Sequence, residues 1–172
     1  SYDFPEVSVT YHKPKYLRLG NPVETNDLRS GFSSNDLGSE LGIRVNASKR
    51  AILKEINLDV AVCTYDSVTY RLNIYLIEDN IVCKNILTEP IYLSFPKEKI
   101  SDVITFDLGR YSIVVEGDIL ITLELYKDSG EGKLLFRTEY FTGTTYHRKT
   151  SEGNWTKSPG VIGMYLKSQV LN

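Results

Sequence analysis

The chain has little of the chemistry that usually announces a function. Its 172 residues include two histidines, two cysteines, one methionine and one tryptophan. His12, His147, Cys63 and Cys83 are scattered, with no C-x-x-C or H-x-x-x-H pair to seed a zinc site. Neither histidine lies in a G-x-S-x-G setting, so no nucleophile–histidine–acid triad can be read, and no glycine-rich phosphate loop occurs. No run approaches the roughly 18–20 consecutive apolar residues that span a bilayer. A formal charge of −2 argues against a nucleic-acid partner, whose phosphates demand a basic patch. Apolar spacing at helical period is also missing; the one candidate, residues 97–102, is a single short turn. Together these absences read as a non-enzyme. Paired carboxylates are the one catalytic chemistry left open, because Asp and Glu number 22.

What the chain does have is period-two alternation in a sequence that is 41% hydrophobic and carries 12 tyrosines. Ile56, Leu58, Val60 and Val62 alternate with Asn57, Asp59, Ala61 and Cys63. After the polar turn Thr64-Tyr65-Asp66-Ser67, Tyr70, Leu72, Ile74 and Leu76 share one face, while Arg71, Asn73 and Tyr75 share the other. Ile119, Ile121, Leu123 and Leu125 repeat the pattern against Thr122, Glu124 and Tyr126. Shorter strand candidates cover residues 7–11, 41–46, 91–94, 103–107, 112–115, 134–141 and 161–167, separated by Gly-, Asp- and Ser-rich turns. Roughly ten short strands imply an all-β, two-sheet antiparallel sandwich of jelly-roll type with almost no helix. Cys63 and Cys83 flank strand 68–77, whose ten residues at about 3.3 Å each hold them some 33 Å apart, so unpaired thiols are expected.

Residues 17–39 break the pattern. They are polar, hold Pro22, Gly20, Gly31 and Gly38, and read as a linker that packs back onto the sandwich. Within them, Ser33-Ser34-Asn35-Asp36-Leu37-Gly38-Ser39-Glu40 gathers oxygen ligands beside a glycine. Asn35, Asp36 and Glu40 are therefore candidate ligands for a structural calcium, although the spacing departs from the D-x-[DN]-x-[DN]-G loop and suits a self-capped turn equally. A second constellation is the polar face of Arg71, Tyr75, Glu124 and Tyr126, with Glu40 at a strand edge. It reads either as a cross-strand Arg71–Glu124 pair or as a ligand platform. Trp155, in Gly153-Asn154-Trp155, either stacks on a sugar ring from an exposed loop or covers the core edge.

Several motifs in order resemble one family. Gly31-Phe32-Ser33-Ser34-Asn35-Asp36-Leu37-Gly38-Ser39-Glu40-Leu41-Gly42 is similar to the opening signature of the C-terminal β-sandwich domain of Bacteroidetes carboxypeptidase-regulatory-like domain proteins. Tyr70-Arg71-Leu72-Asn73-Ile74-Tyr75 resembles its "FRVNIY" strand, with Tyr70 where relatives often have Phe. Phe106-Asp107-Leu108, Tyr111-Ser112-Ile113-Val114-Val115-Glu116-Gly117-Asp118 and Arg148-Lys149-Thr150-Ser151 followed by Gly153-Asn154-Trp155 resemble its later motifs. At Leu125-Tyr126, where relatives often show a Trp, the chain departs from the pattern.

The resemblance implies residues 1–30 as the tail strand of a preceding regulatory-like domain plus linker, and residues 31–172 as the sandwich. The opening on Ser1 agrees with a piece of a longer polypeptide. The family also implies export to the periplasm, cell surface or medium, and no catalytic residues. The combined expectation is a non-catalytic accessory or recognition module, its partner a glycan or an envelope protein. A carbohydrate-binding module working through exposed Tyr and Trp is the alternative, and a hydrolase with an unrecognised acidic site a second one.

Overall fold

The computed structural model describes residues 11–97 and 102–172. Eleven strands run β1 (Tyr16–Asn21), β2 (Leu28–Phe32), β3 (Glu40–Cys63), β4 (Ser67–Glu78), β5 (Ile81–Asn85), β6 (Ile91–Pro96), β7 (Val103–Asp107), β8 (Val114–Leu125), β9 (Leu134–Arg148), β10 (Thr156–Ile162) and β11 (Met164–Val170). The fold is all-β, and every pairing is antiparallel. A 3-10 turn spans Gly109–Tyr111.

The strands do not separate into the two sheets expected of a jelly roll. Pairing joins all eleven into one sheet that is not closed. The cause is β3. Its first half pairs with β8 and β9, and its second half with β11, β7 and again β9. The polar Ser48-Lys49-Arg50, between the strand expected over 41–46 and the alternation that starts at Ile56, is an exposed bulge: the register with β8 jumps between Ala47 and Ala51 while the strand continues.

Three further expectations are corrected. The segment 17–39 is not a strandless linker, because β1 pairs with β11 and β2 with β9. Its polar side chains hid these strands, whose order comes from backbone pairing. The polar face of the stretch 56–63, expected to meet solvent or a partner as in a half-buried strand, is covered within the chain: Asn57 and Asp59 are buried beside Ile56, Leu58 and Val60. Strand 161–167 is two strands, split at Gly163, where a Cβ would meet the Asp59 side chain at 2.6 Å. The proposed strand 7–11 and helical turn 97–102 lie largely outside the described residues.

One main core gathers Leu41, Ile43, Leu72, Ile74, Ile121 and Leu123 with Phe32, Tyr70, Phe95 and Phe136. Each such aliphatic or aromatic side chain contributes about 1.5–3 kcal/mol on burial. The opposite face of β4 and β8 carries Arg71, Asn73, Tyr75 and Ile77 beside Leu120, Thr122 and Glu124. There a small second cluster forms from Ile77, Leu120 and Tyr146, with Tyr75, Val82 and Trp155 packed on it.

Candidate functional site

Strand register lines up five side chains across this second face. Tyr92 of β6 lies opposite Arg71 of β4, Arg71 opposite Glu124 of β8, Glu124 opposite Glu40 of β3, and Glu40 opposite Arg148 of β9. The row thus reads Tyr, plus, minus, minus, plus. Two carboxylates side by side would repel, and each is met by a guanidinium on its outer flank. Arg71 Nε and Nη2 donate to Glu124 Oε2 at 3.0 and 2.7 Å. Arg148 Nε and Nη2 reach Glu40 Oε2 at 2.7 and 2.6 Å.

Neutral donors complete the network. Asn73 Nδ2, one position along the face, donates to Glu40 Oε1 at 3.0 Å and Glu124 Oε2 at 2.9 Å, bridging the two carboxylates. Tyr75 Oη donates to Glu40 Oε1 at 3.0 Å, and Thr122 donates to the same oxygen. Ser151 Oγ donates to Glu124 Oε1 at 2.6 Å. The side chain of Glu40 is wholly buried and that of Glu124 nearly so. Burial pushes the Glu124 carboxyl up, but the hydrogen bonds from Ser151, Asn73 and Arg71 and the Arg71 charge prevail and hold it below its usual value. Burial, and then the Glu40 charge, push the Tyr75 phenol well up, so it stays a donor.

Above the row lies an open cleft of about 830 Å³, within the size range of small-ligand pockets. Its floor presents Arg71, Asn73 and Tyr75; Tyr92 stands on one side, Trp155 and Gly153 on the other. Neither Glu40 nor Glu124 lines it: they form the layer beneath. The Arg148 guanidinium stacks on the Trp155 ring at 4.4 Å and reaches Tyr75 Oη at 2.9 Å. Tyr75 meets Trp155 edge-on, with centroids 5.7 Å apart.

The sequence-derived candidates therefore divide. Arg71, Tyr75 and Glu124 come together, with Arg71 and Glu124 paired across the sheet. Trp155 joins them, but half-buried against Arg148 and Tyr75 instead of exposed. Tyr126 lies just past β8 and packs against Tyr92 with ring centroids 4.4 Å apart and planes tilted by 40°, and both rings are exposed. Glu40 belongs to this network, and no hydrogen bond joins it to Asn35 or Asp36. Asn35 Oδ1 accepts from Tyr65 Oη at 3.3 Å, and Asp36 Oδ2 accepts from Ser34 Oγ at 2.8 Å. Among the described residues, no group of three or more His, Cys, Asp or Glu side chains is set to hold a metal ion.

Arg148, Asn73, Ser151 and Tyr92 went unread as site residues. Asn73 and Tyr92 carried a signal, since alternation places Asn73 on the face of Arg71 and Tyr92 occupies a strand. Arg148 and Ser151 arrive from a distant strand end that no local pattern ties to β4. The two thiols are unpaired, with Cys63 half-buried and Cys83 exposed at the cleft. No protein-family model matches the chain, and no curated protein or solved structure matches it either.

Proposed function

We propose that this chain is a non-catalytic recognition module of a secreted or envelope-associated Bacteroidetes protein, and that the cleft over the charged row is its binding face. One observation carries the first part. Glu40 and Glu124, the paired carboxylates beneath the cleft floor, are buried and saturated by two arginines and four neutral donors, so this pair offers no free oxygen to a ligand. That disfavours an acidic hydrolase built on this pair. Ion pairs and hydrogen bonds instead hold the floor rigid, which reduces the entropy cost of binding. The source and compartment rest on the resemblance of the ordered motifs alone.

A carbohydrate ligand is the second reading, and the exposed Tyr92–Tyr126 pair beside Arg71 favours it. Aromatic faces cover the apolar C–H face of a pyranose, while a guanidinium edge and side-chain amides serve its hydroxyls. A glycan array probed with the full chain tests both readings. Binding that is weakened by Tyr92→Ala and Arg71→Ala, with the bound glycan recovered uncleaved, is the expected result. Cleavage would overturn the non-catalytic reading, and silence across a broad array would overturn the carbohydrate one.

A further inference from the structure

The charges around the cleft narrow the ligand further, granted the carbohydrate reading on which this step rests. Four charged side chains line the cleft: Arg71, Arg148, Glu89 and Glu152. Directly beneath lie Glu40 and Glu124. Six charges therefore sum to −2. Both cations are already committed, Arg71 to Glu124 and Arg148 to Glu40, while Glu89 and Glu152 make no ion pair among the described residues.

The groups left for a ligand are of another kind. Arg71 Nη1 has no partner among the described residues, and the side chain is about a third exposed. Ser151 Oγ, having donated to Glu124, retains acceptor capacity. Asn85 bridges to Asn73 Oδ1 at 2.9 Å and holds the wall of the cleft in place. On the Tyr92 side the aromatic surface is widened by Tyr126.

We infer that the cleft takes an uncharged saccharide and discriminates against uronates. A hydroxymethyl group meets the donor–acceptor mixture without cost. A carboxylate in its place meets two unpaired rim carboxylates and two buried ones, and the one guanidinium nitrogen left free, Arg71 Nη1, belongs to a cation whose charge Glu124 already balances. Discrimination of this kind comes from repulsion and desolvation, so it weakens when the rim charge is removed or screened by salt.

The test uses matched hexasaccharides that differ in that substituent: β-1,4-mannohexaose against β-1,4-mannuronate hexamer, and α-1,4-linked galactose against α-1,4-galacturonate oligomers, titrated calorimetrically into the full chain. The expected result is binding of at least one neutral member and at least tenfold weaker binding of its uronate partner. The Glu89→Gln/Glu152→Gln double variant, altered only at the exposed rim, should narrow that gap, as should raised salt. Uronate binding equal to or tighter than neutral binding overturns the inference while leaving a carbohydrate site in place. Neutral binding unaffected by Tyr92→Ala overturns the location. Absence of binding by every member of both series overturns the inference together with the carbohydrate reading.

Discussion

Removing Arg148 should be the most damaging single change to the polar face, and its cost can be worked from burial. The Glu40 side chain is 0% exposed and that of Arg148 is 9% exposed, joined through two nitrogens at 2.7 and 2.6 Å. Arg148→Met keeps much of the apolar stem but leaves the Glu40 carboxylate buried without its counter-charge. Breaking a buried pair from one side costs about 3–5 kcal/mol. Glu40→Gln strands Arg148 in turn, at a smaller expected cost of roughly 2–4 kcal/mol, because the guanidinium keeps Tyr75 and the Trp155 ring. The double variant removes both charges and should be more stable than the sum of the single effects by at least about 2 kcal/mol. Urea titrations followed by far-UV circular dichroism give the free energies. The lone tryptophan adds a local reading, since Arg148→Met uncovers one face of Trp155 and should shift the native emission. An Arg148→Met cost under about 1 kcal/mol, or strict additivity in the cycle, would refute the reasoning.

Other perturbations give independent checks. Tyr70 is 0% exposed and its hydroxyl has no hydrogen-bond partner among the described residues, so Tyr70→Phe should stabilise by about 1 kcal/mol and raise Tm by about 2–4 °C. Glu124 titrates below an unfolded glutamate's value of about 4.3. Its contribution is therefore full above that pH and is lost as pH falls through the lower folded value; urea midpoints measured down to acid pH should flatten in Glu124→Gln. A Cβ on Gly42 would stand 1.9 Å from the Ile121 carbonyl oxygen, backbone against backbone, so Gly42→Ala should lower Tm by more than about 10 °C in a thermal melt. Chelation with EDTA should leave Tm unchanged, because Glu40 is engaged by Arg148, Tyr75, Asn73 and Thr122.

Alternation made the polar face legible. It placed Arg71 and Tyr75 together, set Glu124 on the matching face of a second strand, and so allowed their pairing. What it could not supply was register between strands far apart in sequence. Glu40 follows a Ser- and Asp-rich loop and reads both as a loop ligand and as a strand-edge neighbour of the polar face. Only its position as the first residue of β3, opposite both Glu124 and Arg148, reveals the network. Strand β5 was hidden because its hairpin depends on Asp79 and Asn80 at φ 50° and 62°, a two-residue turn with both centres left-handed, and because its side chains are mostly exposed. The burial of Asn57 and Asp59 likewise follows from tertiary packing. Asp59 Oδ2 accepts the Val23 amide proton at 2.6 Å, a contact across 36 residues that periodicity cannot anticipate.

The charged row also bears on how the sheet finds its alignment. A slip of β8 by two residues along β3 or β4 returns apolar side chains to the core face, so hydrophobic burial alone hardly opposes it. Such a slip would set Glu124 opposite Gly42, or opposite Thr69 or Asn73, and would leave its carboxylate buried away from Arg71. Only one alignment satisfies both carboxylates. The row is thus a register key, whose value lies less in the stability it adds than in the near-native pairings it forbids.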